Sequence, residues 1–478
     1  MIINSKKLKK SINQNLSQHI KKQEYKIIQK NAIDLLTPER FDLLAKYIYI
    51  QFKDLNIQSS FGEEIYLAHI NAFNGFIEDD ESHKIGKVAF LESFDNLIDS
   101  VKKDGINQDT IIPLSNNILL DGAHRTATAI YFNKSIQTVD LDISTPNFNY
   151  SFFKGRGLSE VYLDFMATKY IELKENIYTI ILWPSSGGGK EKELKEILKE
   201  YGKVVYRKEV KLKNNAPVHL VKQAYKTENW LGSAKDGFIG AQNKANWCFE
   251  KDGVVRVILF ESDKNMIEMK DEIREIYQIK KHAIHINDTK EEALELAGLL
   301  FNKNSIHWMN HTQLKNMPKY NELFKEYTSI MIDKHSYLLV GAVLSAYGIK
   351  DANDLDFICK DKNIINFKND LIEEEISKMK YINVSSDELI FNPKNYFKIN
   401  NIKILSLHKI NEIKISRKKG SDVEDSLLIK KLLSNTILDI SILEKIKLLT
   451  NISHLKGKIK FMLLKVRFYL TKFLKGMK

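Results

Sequence analysis

Cysteine is scarce, with two in 478 residues. Cys248 and Cys359 stand alone without Cys-x-x-Cys spacing, which excludes a disulfide framework and gives no thiolate metal site. Proline is also scarce, at seven, and no apolar run approaches the ~20 residues needed to span a bilayer. The Lys-rich N-terminus lacks a central apolar segment, so no secretory signal is expected and a cytoplasmic location is. What remains is globular in composition, 43% hydrophobic and 28% charged, with length for about three domains.

A net charge of +12 invites a nucleic-acid partner, but its distribution argues against one. Residues 1–30 carry +7 and residues 445–478 carry +10, which leaves the body between them at −5. In the 445–478 tail Ile459, Met462, Leu463, Val466, Leu470, Phe473 and Leu474 recur at helical spacing among Lys and Arg. Such a basic amphipathic helix suits an anionic membrane surface, with the protein peripheral at the inner membrane face. The other reading is a helix docked on the body with its charged face in water.

An apolar strand, Leu338–Val340, runs into Gly341 and Ala342, and Asp354-Leu355-Asp356-Phe357 follows. Strand alternation would point Asp354 and Asp356 to one face, where a hard divalent ion such as Mg²⁺ would relieve their repulsion and bridge a nucleotide's phosphates. Gly341 would let the backbone approach those phosphates. This layout resembles the DNA polymerase β-type nucleotidyltransferases. The resemblance implies Asp354 and Asp356 as catalytic and metal-binding residues and Gly341 and Ala342 against the phosphates. Ala342 departs from the usual Ser. A third carboxylate is expected on a later strand, with Asp387 and Glu388 the nearest candidates. An acidic helix is expected over 371–379 and strands over 388–391 and 403–407. A basic stretch with Lys414 and Arg417 precedes a helix opened by Asp422, and the resemblance turns Arg417 toward phosphates.

Nearer the N-terminus a helical stretch over 31–110 leads into Thr110–Leu114, a polar turn at Ser115-Asn116-Asn117, and Ile118-Leu119-Leu120. Asp121-Gly122-Ala123-His124-Arg125 then opens a helix, and an Arg beside free backbone amides at a helix start makes an anion site. The box resembles that of the ParB/sulfiredoxin superfamily. That resemblance implies nucleotide phosphates received by Asp121, Gly122, His124 and Arg125, and in its kinase members an upstream Glu, for which Glu63, Glu64 and Glu78 are candidates. An Asp-capped helix with a surface Arg is the plainer reading.

Between these regions, the strand Ile177–Trp183 is followed by Pro184-Ser185-Ser186-Gly187-Gly188-Gly189-Lys190 and a helix over 191–201. Pro184 and Glu191 stand where a phosphate loop needs Gly and Ser or Thr, so a flexible turn is expected. Strand 254–260, helix 266–277, His282 to Thr289 and helix 290–301 resemble nucleoside diphosphate kinases. The resemblance makes His285 the phosphate-accepting catalytic residue and Arg274 a phosphate ligand. A hydrogen-bonded His beside a helix cap is the structural alternative.

The expected fold is an α/β and α+β multidomain chain. It has a basic segment over 1–30, a ParB/sulfiredoxin-like module over 31–150, a ferredoxin-like, diphosphate-kinase-like module over 172–311, a nucleotidyltransferase-like module over 312–440, and the amphipathic tail. The expected function is Mg²⁺-dependent transfer of a phosphoryl or nucleotidyl group from an NTP to a small acceptor, with a sugar or polyol intermediate of cell-surface polysaccharide synthesis as the acceptor. The alternative is a nucleotide sensor or nucleic-acid-binding regulator without turnover.

Overall fold

The computed structural model describes residues 1–78, 84–107, 109–250, 253–331, 334–360 and 369–434. The tail expected at 445–478 lies outside the described residues. Among the described residues, 1–376 with 384–406 form one unit, and 377–383 with 407–434 form a second. The larger unit holds three separate sheets interleaved with helices, which makes the chain mixed α and β.

The first sheet begins at the N-terminus. β1 (Ile2–Asn4), α1 (Ser5–Ser11), α2 (Gln14–Ser17) and β2 (Glu24–Asn31) fold the basic opening residues into it. Leu8 of α1 packs with Ile3, Tyr25, Ile27, Ile111 and Val139 on one face. The expected helical stretch follows as α3 (Asp42–Asp54), α4 (Phe61–Asn74) and α5 (Lys87–Asp104). In α5, Phe90, Phe94, Ile98 and Val101 recur at helical spacing and are the buried face. β3 (Ile111–Ser115) and β4 (Ile118–Leu119) form a hairpin, with Asn116 and Asn117 both at positive φ (48° and 65°). Asn tolerates that conformation, which matches the twist of a tight hairpin. α6 (Ala123–Tyr131) and β5 (Ser135–Asp140) complete the order β1-β2-β5-β3-β4, with β5 parallel to β3. α7 (Tyr150–Gly155) and α8 (Glu160–Leu173) lead onward.

The second sheet is built from β6 (Ile177–Leu182), α9 (Glu191–Tyr201), β7 (Lys203–Lys211), α10 (Ala216–Ala224), α11 (Ile239–Cys248), β8 (Val254–Glu261), α12 (Met266–Tyr277) and β9 (Ile284–Ile286). Its order is β7-β8-β6-β9, antiparallel throughout. Alternate residues Ile180, Leu182, Ile258, Phe260, Ile284 and Ile286 share a core with Leu194 and Leu198 of α9 and Met269 and Ile273 of α12. α13 (Lys290–Leu300) packs on the opposite face, where the Thr179 hydroxyl donates to the Ala293 carbonyl at 3.2 Å.

α14 (Lys303–His311) and α15 (Pro318–Ile330) precede the third sheet, which is mixed. β10 (Tyr337–Leu339), α16 (Val343–Ala346), β11 (Leu355–Cys359), β12 (Ile372–Glu374), α17 (Ser386–Phe391), β13 (Tyr396–Ile399) and β14 (Ile402–Leu405) give the order β12-β11-β10-β14-β13. Two expectations fail here. The acidic helix over 371–379 is instead β12, paired parallel to β11, followed by a 3₁₀ turn over Ile376–Tyr381. Pairing with a neighbouring strand overrides the local helical preference of these residues. The expected strand over 388–391 is the helix α17. Ser385 caps it by accepting from the Glu388 amide at 3.0 Å, so the Ser-x-x-Glu start decides for helix.

In the second unit, α18 (Leu407–Arg417) and α19 (Asp422–Leu433) are tied by charge. Arg417 donates twice to Asp422, at 2.8 and 2.7 Å, and Lys414 pairs with Asp425 at 2.6 Å. Among the described residues no helix is long and apolar enough to cross a membrane.

Candidate functional site

The Asp121–Arg125 box forms where β4 hands the chain to α6. Gly122 adopts φ +84°, which favours glycine, and a Cβ there would push aside the tip of the Ile112 side chain, 2.6 Å away. The Asp121 carboxylate accepts the Gly122 amide at 2.6 Å and fixes the turn. The amides of the first helical turn that follow have no partner within the helix. Arg125 is exposed beside them, and half-buried His124 shares a hydrogen bond of 3.0 Å with the Tyr66 hydroxyl. Burial, and then the Lys46 ammonium, keep His124 well below its ordinary pKa and therefore neutral.

These residues line a cavity of about 420 Å³, and residues of α3, α4 and α5 complete it. Arg40, Asp42 and Lys46 form its buried wall: Arg40 donates to both carboxylate oxygens of Asp42 at 2.8 Å, and Lys46 pairs with one at 3.0 Å. A third Arg40 nitrogen donates to the Leu119 carbonyl at 2.6 Å, which anchors β4 and with it the start of the box. Two cations against one carboxylate leave this wall with a surplus positive charge. Of the three Glu candidates, only Glu78 lines the cavity, paired with Lys84 at 2.6 Å. Glu63 is exposed on α4, and Glu64 bonds Ser60, Tyr162 and Lys394 instead. His69, fully buried between Phe73 and Phe153, has neither ring nitrogen hydrogen-bonded among the described residues. Burial holds its pKa well below the usual range. Arg40, Asp42 and Lys46 escaped the sequence reading, although two charges four apart in an otherwise apolar helical run were a legible signal.

At the third sheet, Asp356 lies inside β11 and is buried, whereas Asp354 stands one residue before the strand and is exposed. Gly341 has a reason nearer than phosphate: a Cβ would lie 2.6 Å from the Asp356 carboxylate and 2.9 Å from its amide. The amides of Val340 and Gly341 both donate to the Asp356 carbonyl, at 2.8 and 3.1 Å, so the two segments are locked together. Ala342, at φ +54°, precedes α16 in the left-handed conformation. Asp387 and Glu388 are not on a strand, and both are engaged elsewhere. Asp387 accepts the Gln58 amide at 2.7 Å and Lys360 at 2.8 Å, and Glu388 accepts the Ser59 hydroxyl at 2.6 Å. The acid that register places beside Asp356 is Glu373 of β12. Among the described residues no three His, Cys, Asp or Glu side chains converge as a metal cluster. Asp354 and Asp356 are two carboxylates separated by one residue, within the number that Mg²⁺ commonly takes from protein.

His285 is the middle residue of β9, buried, with Nε2 3.2 Å from Glu292 and its ring 4.9 Å from that of Tyr225. Thr289 caps α13, and Glu292 also accepts the Asp288 amide at 2.9 Å. Arg274 pairs with Asp271 on its own helix at 2.8 Å. Burial raises the Tyr225 phenol, and the charge of Arg274 opposes that in part. In the glycine turn Arg256 bonds the Gly187 carbonyl and the Ser186 hydroxyl, and Lys190 pairs with Glu193 at 3.2 Å. That turn is filled by the protein's own groups. Arg417 is likewise held by Asp422.

No protein-family model, no curated protein and no solved structure matches this chain.

Proposed function

We propose that the protein transfers a phosphoryl or nucleotidyl group from a nucleoside triphosphate to a small acceptor, and that the first cavity receives the phosphates. The observation carrying this is the meeting of Asp121–Arg125, Glu78 and the surplus charge of Arg40 and Lys46 in one cavity. A helix start, an exposed Arg and a net positive wall suit phosphate oxygens. Glu78 would take the proton of an acceptor hydroxyl as its oxygen attacks phosphorus and the bond to the departing nucleoside diphosphate or pyrophosphate breaks. The antiparallel order β7-β8-β6-β9, with α9 and α12 on one face, supports a ferredoxin-like middle module. Asp354 and Asp356 are the carboxylates that would hold Mg²⁺, which would neutralise triphosphate charge. A sugar or polyol acceptor belongs to this proposal.

The test is a melting screen of the full chain with the four common NTPs, with and without Mg²⁺, followed by calorimetry and product analysis. Saturable NTP binding that persists in Glu78→Gln while transfer is lost supports the reading. Absence of binding by all four NTPs defeats it. A sensor without turnover is the second reading, favoured by Ala342 and by the engagement of Asp387 and Glu388 in structural bonds. Binding without product formation would select it.

A further inference from the structure

A second cavity, of about 570 Å³, lies in the larger unit between α10 of the second module and α15 and α16 of the third. It shares no lining residue with the first cavity. Its size suits a small metabolite rather than a single ion.

The chemistry of its lining is incomplete. Four lining residues carry buried polar atoms with no hydrogen-bond partner among the described residues: His219 Nε2, Gln223 Oε1, Tyr320 Oη and Asn400 Oδ1. Native structures leave few such atoms, because each costs about 1–3 kcal/mol when buried unmade. Four on one cavity therefore ask for a common explanation. His219 is neutral, its pKa pushed down to about 3 by burial and by Lys222, so it can accept. The amides of Gln223 and Asn400 add further acceptors, and the Tyr320 phenol adds a donor.

The fifth residue is Lys222. Among the described residues its ammonium meets no carboxylate; it lies over the Phe238 ring, 3.5 Å from the centroid. Burial alone pushes its pKa down to about 8. Phe238 holds φ +58°, a conformation bulky residues rarely adopt, and its amide is fixed by Asp236 at 2.9 Å. Backbone strain of this kind is retained where the surroundings over-determine it. Here it sets an aromatic face over Lys222; of the other lining cations, Lys226 pairs with Glu295 at 2.5 Å and Lys315 is exposed.

From this juxtaposition we infer that the cavity binds an anionic monosaccharide, a sugar carrying a phosphate or carboxylate group. The anion supplies the counter-charge that Lys222 lacks. Sugar hydroxyls donate to His219, Gln223 and Asn400 and accept from Tyr320, and the apolar face of the ring lies against Phe238. A simple anion would leave the acceptors unmet, and a neutral sugar would leave the ammonium unmet. The inference stands on this cavity alone and does not depend on the nucleotide reading of the first.

The experiment is calorimetric titration of the full chain, without nucleotide, with glucose 6-phosphate, glucuronate, glucose and inorganic phosphate. Saturable binding of one or both anionic sugars is expected, at least about tenfold tighter than glucose or phosphate. Lys222→Met should weaken that binding tenfold or more, and Tyr320→Phe severalfold, with both variants shown to be folded by their melting curves. The phosphate and carboxylate probes identify which anion the site takes. The inference is overturned if neither anionic sugar binds up to about 10 mM. It is overturned equally if inorganic phosphate binds as tightly, which would make this an anion site only, or if Lys222→Met and Tyr320→Phe bind unchanged.

Discussion

Asp42, on the wall of the first cavity, is met by Arg40 and Lys46, whereas Lys222, on the second, faces an aromatic ring and no acid among the described residues. Both cavities are basic, but they hold charge differently. In the first, the protein satisfies its own ions and leaves one positive charge over, so the wall is set before any ligand arrives. In the second, four polar atoms have no hydrogen-bond partner among the described residues. Preorganised charge reads as a scaffold for phosphate recognition, and unmet charge reads as half of a complex.

The most severe way to break this comparison is Asp42→Asn. It leaves two buried cations without their anion and should cost about 3–5 kcal/mol in urea denaturation. Lys222→Met, which removes an unpaired charge, should leave stability equal or higher. The same pair fixes a pH dependence. Burial opposes ionisation of Asp42, but Arg40 and Lys46 hold its carboxyl well below the ordinary carboxylate range. The folded value lies below the unfolded one, so the stabilisation is complete above about pH 4 and is lost as pH falls further. Acid denaturation followed in wild type and Asp42→Asn should show that limb flattened in the variant.

Arg125→Ala comes next, and it separates ligand recognition from scaffold. Because Arg125 is exposed, melting should hardly change, while NTP affinity by calorimetry falls by about 1.5–3 kcal/mol. A drop in melting temperature without an affinity change would make Arg125 structural.

His69→Leu probes the exception, an unpartnered group beside the paired wall. Replacing its two unmet nitrogens with hydrocarbon of similar volume should stabilise the fold by about 1 kcal/mol. Marked destabilisation would mean that His69 is bonded in solution. The smallest effect is expected from Tyr320→Phe, whose stability should stay within about 0.5 kcal/mol of wild type, with any change toward greater stability. A loss above that would show the phenol to be satisfied without ligand.

The parts of the molecule legible in the sequence are those fixed by neighbours in the chain. The Ile111–Leu119 hairpin, the Asp121–Arg125 box and the helices over 191–201 and 266–277 depend on local turn chemistry and hydrophobic period, and they stand where the sequence places them. Where local signals competed, the reading failed: the Ser385 cap made 386–391 a helix, and pairing with β11 made 372–374 a strand. Asp387 and Glu388 were misplaced for the same reason, since helix rather than strand turns them toward the Gln58–Ser59 bend.

The sequence by itself determined that an Asp-Gly-x-His-Arg turn would open a helix and that Gly341 would precede an Asp-x-Asp run. The tertiary structure alone decided which Glu of three reaches the box, that Arg40 would bridge Asp42 to the Leu119 carbonyl, and that Gly341 makes room for Asp356 itself. It also brought residues 219–223, 320 and 400 to one cavity. A turn or helix start is selected by steric and hydrogen-bonding preferences spanning a few residues. A cavity is the space left when distant elements pack, and no local preference encodes it.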